Sequence, residues 1–253
     1  MDIKRLGDNW NAWGRKDPMY AVLTDPAKRH NRWDEAAFFE TGRREVAGVM
    51  RYVEGLGHPL QTGSALDFGC GVGRLTQALA EHFASVTGVD IAPSMIERAD
   101  GLSRFPDRCR FVVNAVDDLS QFPSGEFDFV YSNIVLQHMR PEYARKYIRE
   151  FLRIIRAGGL VIFQIPEQSA PAEPKAMPLS VSLKASAKRL LNSGYGMLTG
   201  KTLLPVIDMF GIPRAEVEAE IASAGGRVLD VVADPSGGEG WTGYRYCATK
   251  LAS

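Results

Sequence analysis

The chain has 253 residues, and its 30 Lys and Arg balance 30 Asp and Glu to a formal net charge of zero. That balance argues against a protein held on nucleic acid mainly by bulk charge. With 45% hydrophobic and 24% charged residues the composition excludes disorder, and the length suits one large domain or one domain with an added cap.

The start, Met1-Asp2-Ile3-Lys4-Arg5, leads to Asp, Asn and Trp instead of an apolar stretch, so no secretion signal is expected. Residues 1–60 are rich in aromatics and charge, including Trp10, Trp13, Tyr20, Trp33, Phe38 and Phe39. From about Asp34 to Leu56 apolar residues recur at helical spacing (Ala37, Phe38, Val46, Val49, Met50, Val53), and Gly55, Gly57 and Pro59 end the run. An N-terminal helical cap is expected over 1–60.

The rhythm then changes to short apolar runs alternating with helical patterns. Ser64–Cys70 predicts a strand, Arg74–Phe83 a helix, Val86–Asp90 a strand and Ser94–Gly101 a short helix. Strands at Arg110–Val113 and Phe127–Asn133, a helix at Glu142–Arg156 and a strand at Leu160–Ile165 follow. Such alternation means βαβ units around a mostly parallel, doubly wound α/β sheet, here over 61–166. The stretch 167–212, proline-flanked and broken by Gly194, Gly196 and Gly200, is expected to be an inserted lid, with a membrane-surface helix as the rival. Residues 213–253 complete the core with a helix at Arg214–Ala224 and strands at Arg227–Val232 and Tyr244–Lys250.

No apolar run approaches the roughly 20 residues that span a bilayer. Cys70, Cys109 and Cys247 are too few and too scattered for a disulfide framework or metal cluster. A soluble, cytoplasmic protein with no nucleic-acid partner and no stable membrane insertion is the expectation.

The informative segment is Leu66-Asp67-Phe68-Gly69-Cys70-Gly71-Val72-Gly73-Arg74-Leu75-Thr76. It leaves a strand and opens a helix, so its glycines lie at the carboxyl end of a parallel sheet, where such sheets bind ligands. A dinucleotide fingerprint needs G-x-G-x-x-G, but the third glycine would fall on Arg74 in one frame and Thr76 in the other. Asp67 would repel a pyrophosphate and suits a ligand with an ammonium group. Asp90 ends the next strand as a carboxylate able to accept ribose hydroxyls. A ribose, a positive charge and no phosphate point to S-adenosyl-L-methionine.

Asp67-x-Gly69-x-Gly71-x-Gly73 with Gly88-Val89-Asp90 resembles the first two motifs of the class I S-adenosylmethionine-dependent methyltransferases, of the bacterial small-molecule type. The likeness continues through Phe111–Leu119, Phe127–Asn133 and Arg156-Ala157-Gly158-Gly159-Leu160. It implies a Rossmann-like seven-stranded sheet, order 3-2-1-4-5-7-6, with strand 7 antiparallel, and S-adenosyl-L-homocysteine as product. It places Asp67, Gly69 and Gly71 at the methionine end, Asp90 at the ribose, Ile91 and Met95 on the adenine and Asn133 near the methyl donor. Arg74 is either a ligand contact or a solvated side chain. Where the family offers an acid to the adenine this chain has Ala115, so either Asp117 or backbone near Val116 takes that task.

His138, just past the strand that carries Asn133, is the candidate general base for taking a proton from a hydroxyl; the alternative is a histidine that shapes the pocket. No metal site is evident. Trp10, Trp13 and Trp33 suggest walls for a small molecule. Met209-Phe210-Gly211-Ile212-Pro213 with Trp241-x-x-Tyr244-Arg245-Tyr246 is similar to bacterial methyltransferases of glycan or natural-product hydroxyls. The expected reaction is metal-independent O-methylation of a small or sugar-bearing substrate, saccharide or natural product. The alternatives are N- or C-methylation, a non-catalytic S-adenosylmethionine-binding relative and, disfavoured by the glycine spacing, a nicotinamide dehydrogenase.

Overall fold

The computed structural model describes residues 2–167, 205–238 and 240–251. Three helices come first. In α1 (Ile3–Lys16) Asp2 caps the amino end by accepting from the Arg5 amide at 2.8 Å. Pro18 opens α2 (Pro18–Val22). In α3 (Glu35–Gly55) the Asp34 side chain caps the Ala37 amide, and Phe38, Gly42, Val46, Val49 and Val53 share one buried face.

Then follow β1 (Ser64–Phe68), α4 (Arg74–Leu79), β2 (Ser85–Asp90), α5 (Pro93–Gly101), β3 (Cys109–Val113) and β4 (Phe127–Ser132). The chain continues through α6 (Pro141–Ile154), β5 (Ile155–Glu167), α7 (Arg214–Ser223), β6 (Gly226–Ala233) and β7 (Thr242–Lys250). The seven strands form one sheet in the order β3-β2-β1-β4-β5-β7-β6. β7 runs antiparallel to both β5 and β6, and the other pairings are parallel. Order, class and the antiparallel last strand agree with the sequence reading.

Helices cover both faces, which is why the central strands are largely apolar. On one face Ala65, Phe129, Leu160 and Ile162 pack on α3 and α4. On the other Leu66, Val130, Val161 and Phe163 pack on α6 and α7. Every residue of β4 is buried, and each fully buried large apolar side chain contributes about 1.5–3 kcal/mol.

Two boundaries differ from expectation by four or more residues. α4 stops at Leu79 instead of Phe83, and β5 begins at Ile155, directly out of α6 and five residues before Leu160. Its first residues pair with Phe127 and Lys250 before the register shifts at Gly158, whose φ is +76°. The expected cap of residues 1–60 divides in two. α3 is a layer of the sheet's core, whereas α1 lies against α5 and closes the carboxyl ends of the strands. Most of the expected lid, residues 168–204, lies outside the described residues; residues 205–213 carry no regular structure. No helix among the described residues is long and apolar enough to cross a membrane.

The approach of α3 to α4 depends on Gly42. A Cβ there would stand 2.4 Å from the Arg74 carbonyl oxygen. Gly42→Ala should therefore destabilise the fold by about 1–3 kcal/mol through overpacking, against the gain of up to about 1 kcal/mol usual for this change in a helix. Gly48→Ala on the same helix, where the nearest atom is a distal Arg51 nitrogen at 4.0 Å, should be neutral or stabilising. Urea unfolding of both variants checks this, and a stabilised Gly42→Ala would show that α3 moves freely on α4.

Candidate active site

The site starts where β1 ends. The amides of Gly69 and Cys70 both donate to the Val89 carbonyl, at 2.7 and 2.9 Å, and the Gly71 amide donates to Asp90 Oδ2 at 2.9 Å. The Ala92 amide donates to Asp90 Oδ1 at 2.8 Å. To make these bonds the loop adopts φ of +77° at Gly69, +53° at Gly71 and +82° at Gly73, values that favour glycine. Space is equally short. A Cβ at Gly69 would lie 2.3 Å from Val135 Cγ2, and one at Gly71 2.4 Å from Val22 Cγ2.

A cavity opens over this loop, lined mainly by apolar side chains with a few polar groups, the usual make-up of a small-molecule site. Gly69, Gly71, Arg74, Asp90, Ile91, Met95, Asn133 and His138 all line it, so the structure brings together eight of the residues singled out from the sequence. Ile3, Leu6 and Trp10 of α1 and Val22 of α2 form the opposite wall.

Three expected site residues stand elsewhere. Asp67 lies behind the loop and is buried; Oδ2 accepts from Thr76 Oγ1 at 2.6 Å, while Oδ1 has no partner. Burial pushes its carboxyl up to about 7, with the Thr76 hydroxyl and Arg74 opposing. Asp117 is tied to Lys146 Nζ at 2.9 Å, and Val116 is half exposed. Asn114, one residue before Ala115, lines the cavity instead, next to Tyr147. Its Nδ2 donates to the carbonyls of Val116 and Asp118 at 3.2 and 2.9 Å. A polar residue ending β3 was the signal available for it.

Asp90 lines the cavity. Burial pushes its carboxyl up to about 6, and the amides of Ala92, Gly71 and Ile91 oppose that rise.

Arg74 is neither solvated nor alone. Its side chain is 3% exposed and its Nη1 donates to Glu45 Oε2 at 2.8 Å. Glu45 Oε1 also accepts from Tyr131 Oη at 2.9 Å and from Asn133 Nδ2 at 2.7 Å. Glu45 sits in the middle of α3 and nothing in its sequence context marks it, because its partners come from β4 and the start of α4.

His138 ends a short 3-10 turn, Leu136–His138, that follows Ile134. Ile134 has φ +60°, a left-handed value that is strained for a β-branched residue by about 1–3 kcal/mol. His138 Nδ1 lies 2.8 Å from the Asp208 carbonyl oxygen. A carbonyl only accepts, so Nδ1 carries the hydrogen and the neutral ring keeps its lone pair on Nε2. The Gln137 amide lies 3.4 Å from Nε2, and the Trp10 ring packs on the imidazole at 5.2 Å between centroids. Burial pulls the His138 pKa below its ordinary value, with the Asp208 carbonyl opposing, so the ring is neutral at neutral pH. A second, smaller cavity shares Leu6, Trp10, His138 and Met139 with the first and reaches Asn9, Arg140 and Phe210. Asn9 closes its rim by bonding the Val206 backbone through both amide atoms, at 2.7 and 2.8 Å.

Residues 66–163 match the family described as a methyltransferase domain. Over 130 residues the chain is 32% identical to 2-methyl-6-phytyl-1,4-hydroquinone methyltransferase of Synechocystis, covering 51% of this chain and 39% of that one. Over 187 residues it is 31% identical to ubiquinone biosynthesis O-methyltransferase of Xanthomonas oryzae, covering 73% of this chain and 65% of that one. The chain thus spans less than two thirds of either relative. Among solved structures, magnesium protoporphyrin IX methyltransferase from Synechocystis with bound SAH superposes with TM-score 0.62 at 20% identity, over 98% of this chain and 100% of that one. That likeness is one of fold.

Asp90→Ala should weaken S-adenosylmethionine binding by about 10–100-fold, the loss of a charge-assisted hydrogen-bond acceptor. The carboxylate accepts from hydroxyls much more strongly than the protonated acid does. With its titration near 6, affinity should fall roughly tenfold on going from neutral pH to about pH 5, with proton release on binding there. Calorimetry at the two pH values checks both, and an equally pH-dependent Asp90→Asn variant would overturn the assignment.

Proposed function

We propose, from the premise that the chain belongs to the class I S-adenosylmethionine-dependent methyltransferases, that it methylates a hydroxyl of a small, largely apolar molecule. The observation that carries this reading is His138, a neutral imidazole with its lone pair on Nε2, standing on the wall common to both cavities.

The residues present fit S-adenosyl-L-methionine. The glycine loop lines the cavity with Val135 and Val22 packed on Gly69 and Gly71, Asp90 meets the ribose, and Ile91 and Met95 flank the adenine. With Asp117 held by Lys146, the backbone beside Asn114 is left to meet the adenine edge. Arg74 and Asn133 lie at the methionine end. The unpartnered, buried Asp67 Oδ1 adds negative potential behind the loop, which suits a cationic ligand. When bound, the cofactor supplies an electrophilic methyl group on a sulfonium, and displacement there requires the acceptor oxygen in line behind it. Positioning by the two cavities provides most of the acceleration. His138 Nε2 takes the hydroxyl proton as the new O–C bond forms, a contribution of about 10²–10⁴-fold. The ring then carries one positive charge until the proton leaves to water.

We take Ile3, Leu6, Trp10 and Val135, which line the cavity, as the side that meets the acceptor. A saccharide would leave several hydroxyls against these side chains without partners, at a cost of about 1–3 kcal/mol each. An aromatic hydroxyl compound loses nothing comparable there. The names of the hydroquinone and ubiquinone-pathway relatives support the same class. C-methylation of such a ring is the second reading. A labelled-methyl assay across phenols, hydroquinones, sugars and amines, with product mapping of O- against C-methylation, decides between them.

His138→Ala should lower the methyl-transfer rate at saturation by about 100-fold or more, while cofactor affinity stays unchanged. The parent rate should rise with pH through a titration below the ordinary histidine value of about 6.5 and level off at neutrality, because the neutral ring is the active form. His138→Gln keeps a polar side chain without a base. Turnover by this variant near the parental rate would leave orientation as the histidine's role.

A further inference from the structure

We propose that Glu45 is a positioning residue: its carboxylate fixes the side-chain amide of Asn133 so that Oδ1 faces the cavity as a hydrogen-bond acceptor for the cationic methionine end of the cofactor. The inference rests on the cofactor reading above, and adds to it a residue of α3 that does not line the cavity.

The chemistry of the cluster decides which way the amide points. Glu45 faces three groups. Arg74 Nη1 meets Oε2 at 2.8 Å, and Tyr131 Oη and Asn133 Nδ2 share Oε1 at 2.9 and 2.7 Å. Arginine only donates, and beside an ionised carboxylate a phenol and an amide must also turn their donors inward. The oxygen and nitrogen of an isolated asparagine side chain are interchangeable in shape. Here the carboxylate removes that freedom. Asn133 lines the cavity, and no group among the described residues donates to its Oδ1. The acceptor is therefore held at the site with its capacity unused.

The cluster acts through geometry more than through net charge. Arg74 neutralises Glu45, and the pair is largely withdrawn from water, at 3% and 23% side-chain exposure. What the cluster sets is direction. Its placement depends on Gly42, one turn before Glu45, which lets α3 come into contact with the Arg74 backbone.

Only a carboxylate satisfies three donors at once. In Glu45→Gln the introduced amide offers one acceptor and one donor. The charged Arg74 has the stronger claim on the remaining oxygen, which turns the new amide nitrogen towards Asn133. The Asn133 amide then flips, giving Oδ1 to that nitrogen and presenting Nδ2 to the cavity. Adding Asn133→Asp cures that defect. One oxygen of the introduced carboxylate accepts from the glutamine nitrogen, and the other faces the cavity.

The test is S-adenosylmethionine binding by calorimetry to the full chain, with thermal denaturation of each variant alongside. Glu45→Gln should lose about 10–100-fold in affinity, and the Glu45→Gln/Asn133→Asp double variant should return to within about threefold of the parent. Asn133→Ala should lose as much as Glu45→Gln. A folded Glu45→Gln variant that binds like the parent overturns the proposal, as does a folded double variant no better than the single one. If Glu45→Gln does not fold, Asn133→Ala decides alone, since parental affinity there would mean that Oδ1 contributes nothing. A parent chain that binds no S-adenosylmethionine would bring down the cofactor reading and this inference together. A parent that binds it and methylates no hydroxyl would bring down only the acceptor reading.

Discussion

Three consecutive amides at the end of β1 are pinned to the end of β2, and the rest of the site depends on that fastening. Gly69 and Cys70 donate to the Val89 carbonyl and Gly71 to the Asp90 carboxylate. The bonds force the left-handed conformations at Gly69, Gly71 and Gly73, and the last of these starts α4. Arg74 can then enter the first turn of α4 facing α3. Gly71 engages one Asp90 oxygen and the Ala92 amide the other, which fixes the carboxylate where it lines the cavity. A single structural device thus sets the floor of the cavity, the direction of α4 and the carboxylate at the cavity edge.

Around that floor the N-terminal helices do different work. α3 buries Val46, Val49 and Val53 against the sheet and carries Glu45 to the strand ends as a consequence of that packing. α1 contributes little to the sheet core beyond Leu6 and instead supplies Ile3, Leu6 and Trp10 as the roof. The roof is joined to the far side by Asn9 on the Val206 backbone and by Trp10 on His138. Strain at Ile134 lies just before the turn that carries the His138–Asp208 bond, which fits the general rule that unusual backbone is retained where side chains must be aimed.

The electrostatics of the cavity suit a cation. Asp67 and Asp90 are both pushed upward by burial, and Glu45 and Asp90 raise Asp67 further through their charge. Carboxylates held close together in a dry site are costly in their ionised form. A ligand with a sulfonium and an ammonium group relieves that cost, whereas a pyrophosphate would add to it. His138 stands outside this group, its lowered pKa coming from burial and not from a neighbouring charge.

Much of this is legible in the sequence, for reasons that can be given residue by residue. Strands buried on both faces are mostly apolar, so the runs at Ser64, Val86, Phe127 and Leu160 announce the parallel sheet. The glycines at 69, 71 and 73 announce the loop because backbone conformation and close approach leave no other choice, and the strand-end position of Asp90 follows from periodicity alone. What stays hidden is whatever depends on two elements meeting. Asp117 is as available as Asn114 until Lys146 of α6 takes it. Arg74 is evenly poised between ligand and solvent until α3 covers it. Glu45 lies on the helix turn between buried Gly42 and Val46 and reads as one more charge on an amphipathic helix. Local sequence determines which backbone each segment adopts, because sterics and hydrophobic periodicity act over a few residues. The partner that meets a given carboxylate is decided only when α3, α4 and β4 pack together, because hydrogen bonds between distant segments leave no periodic trace along the chain.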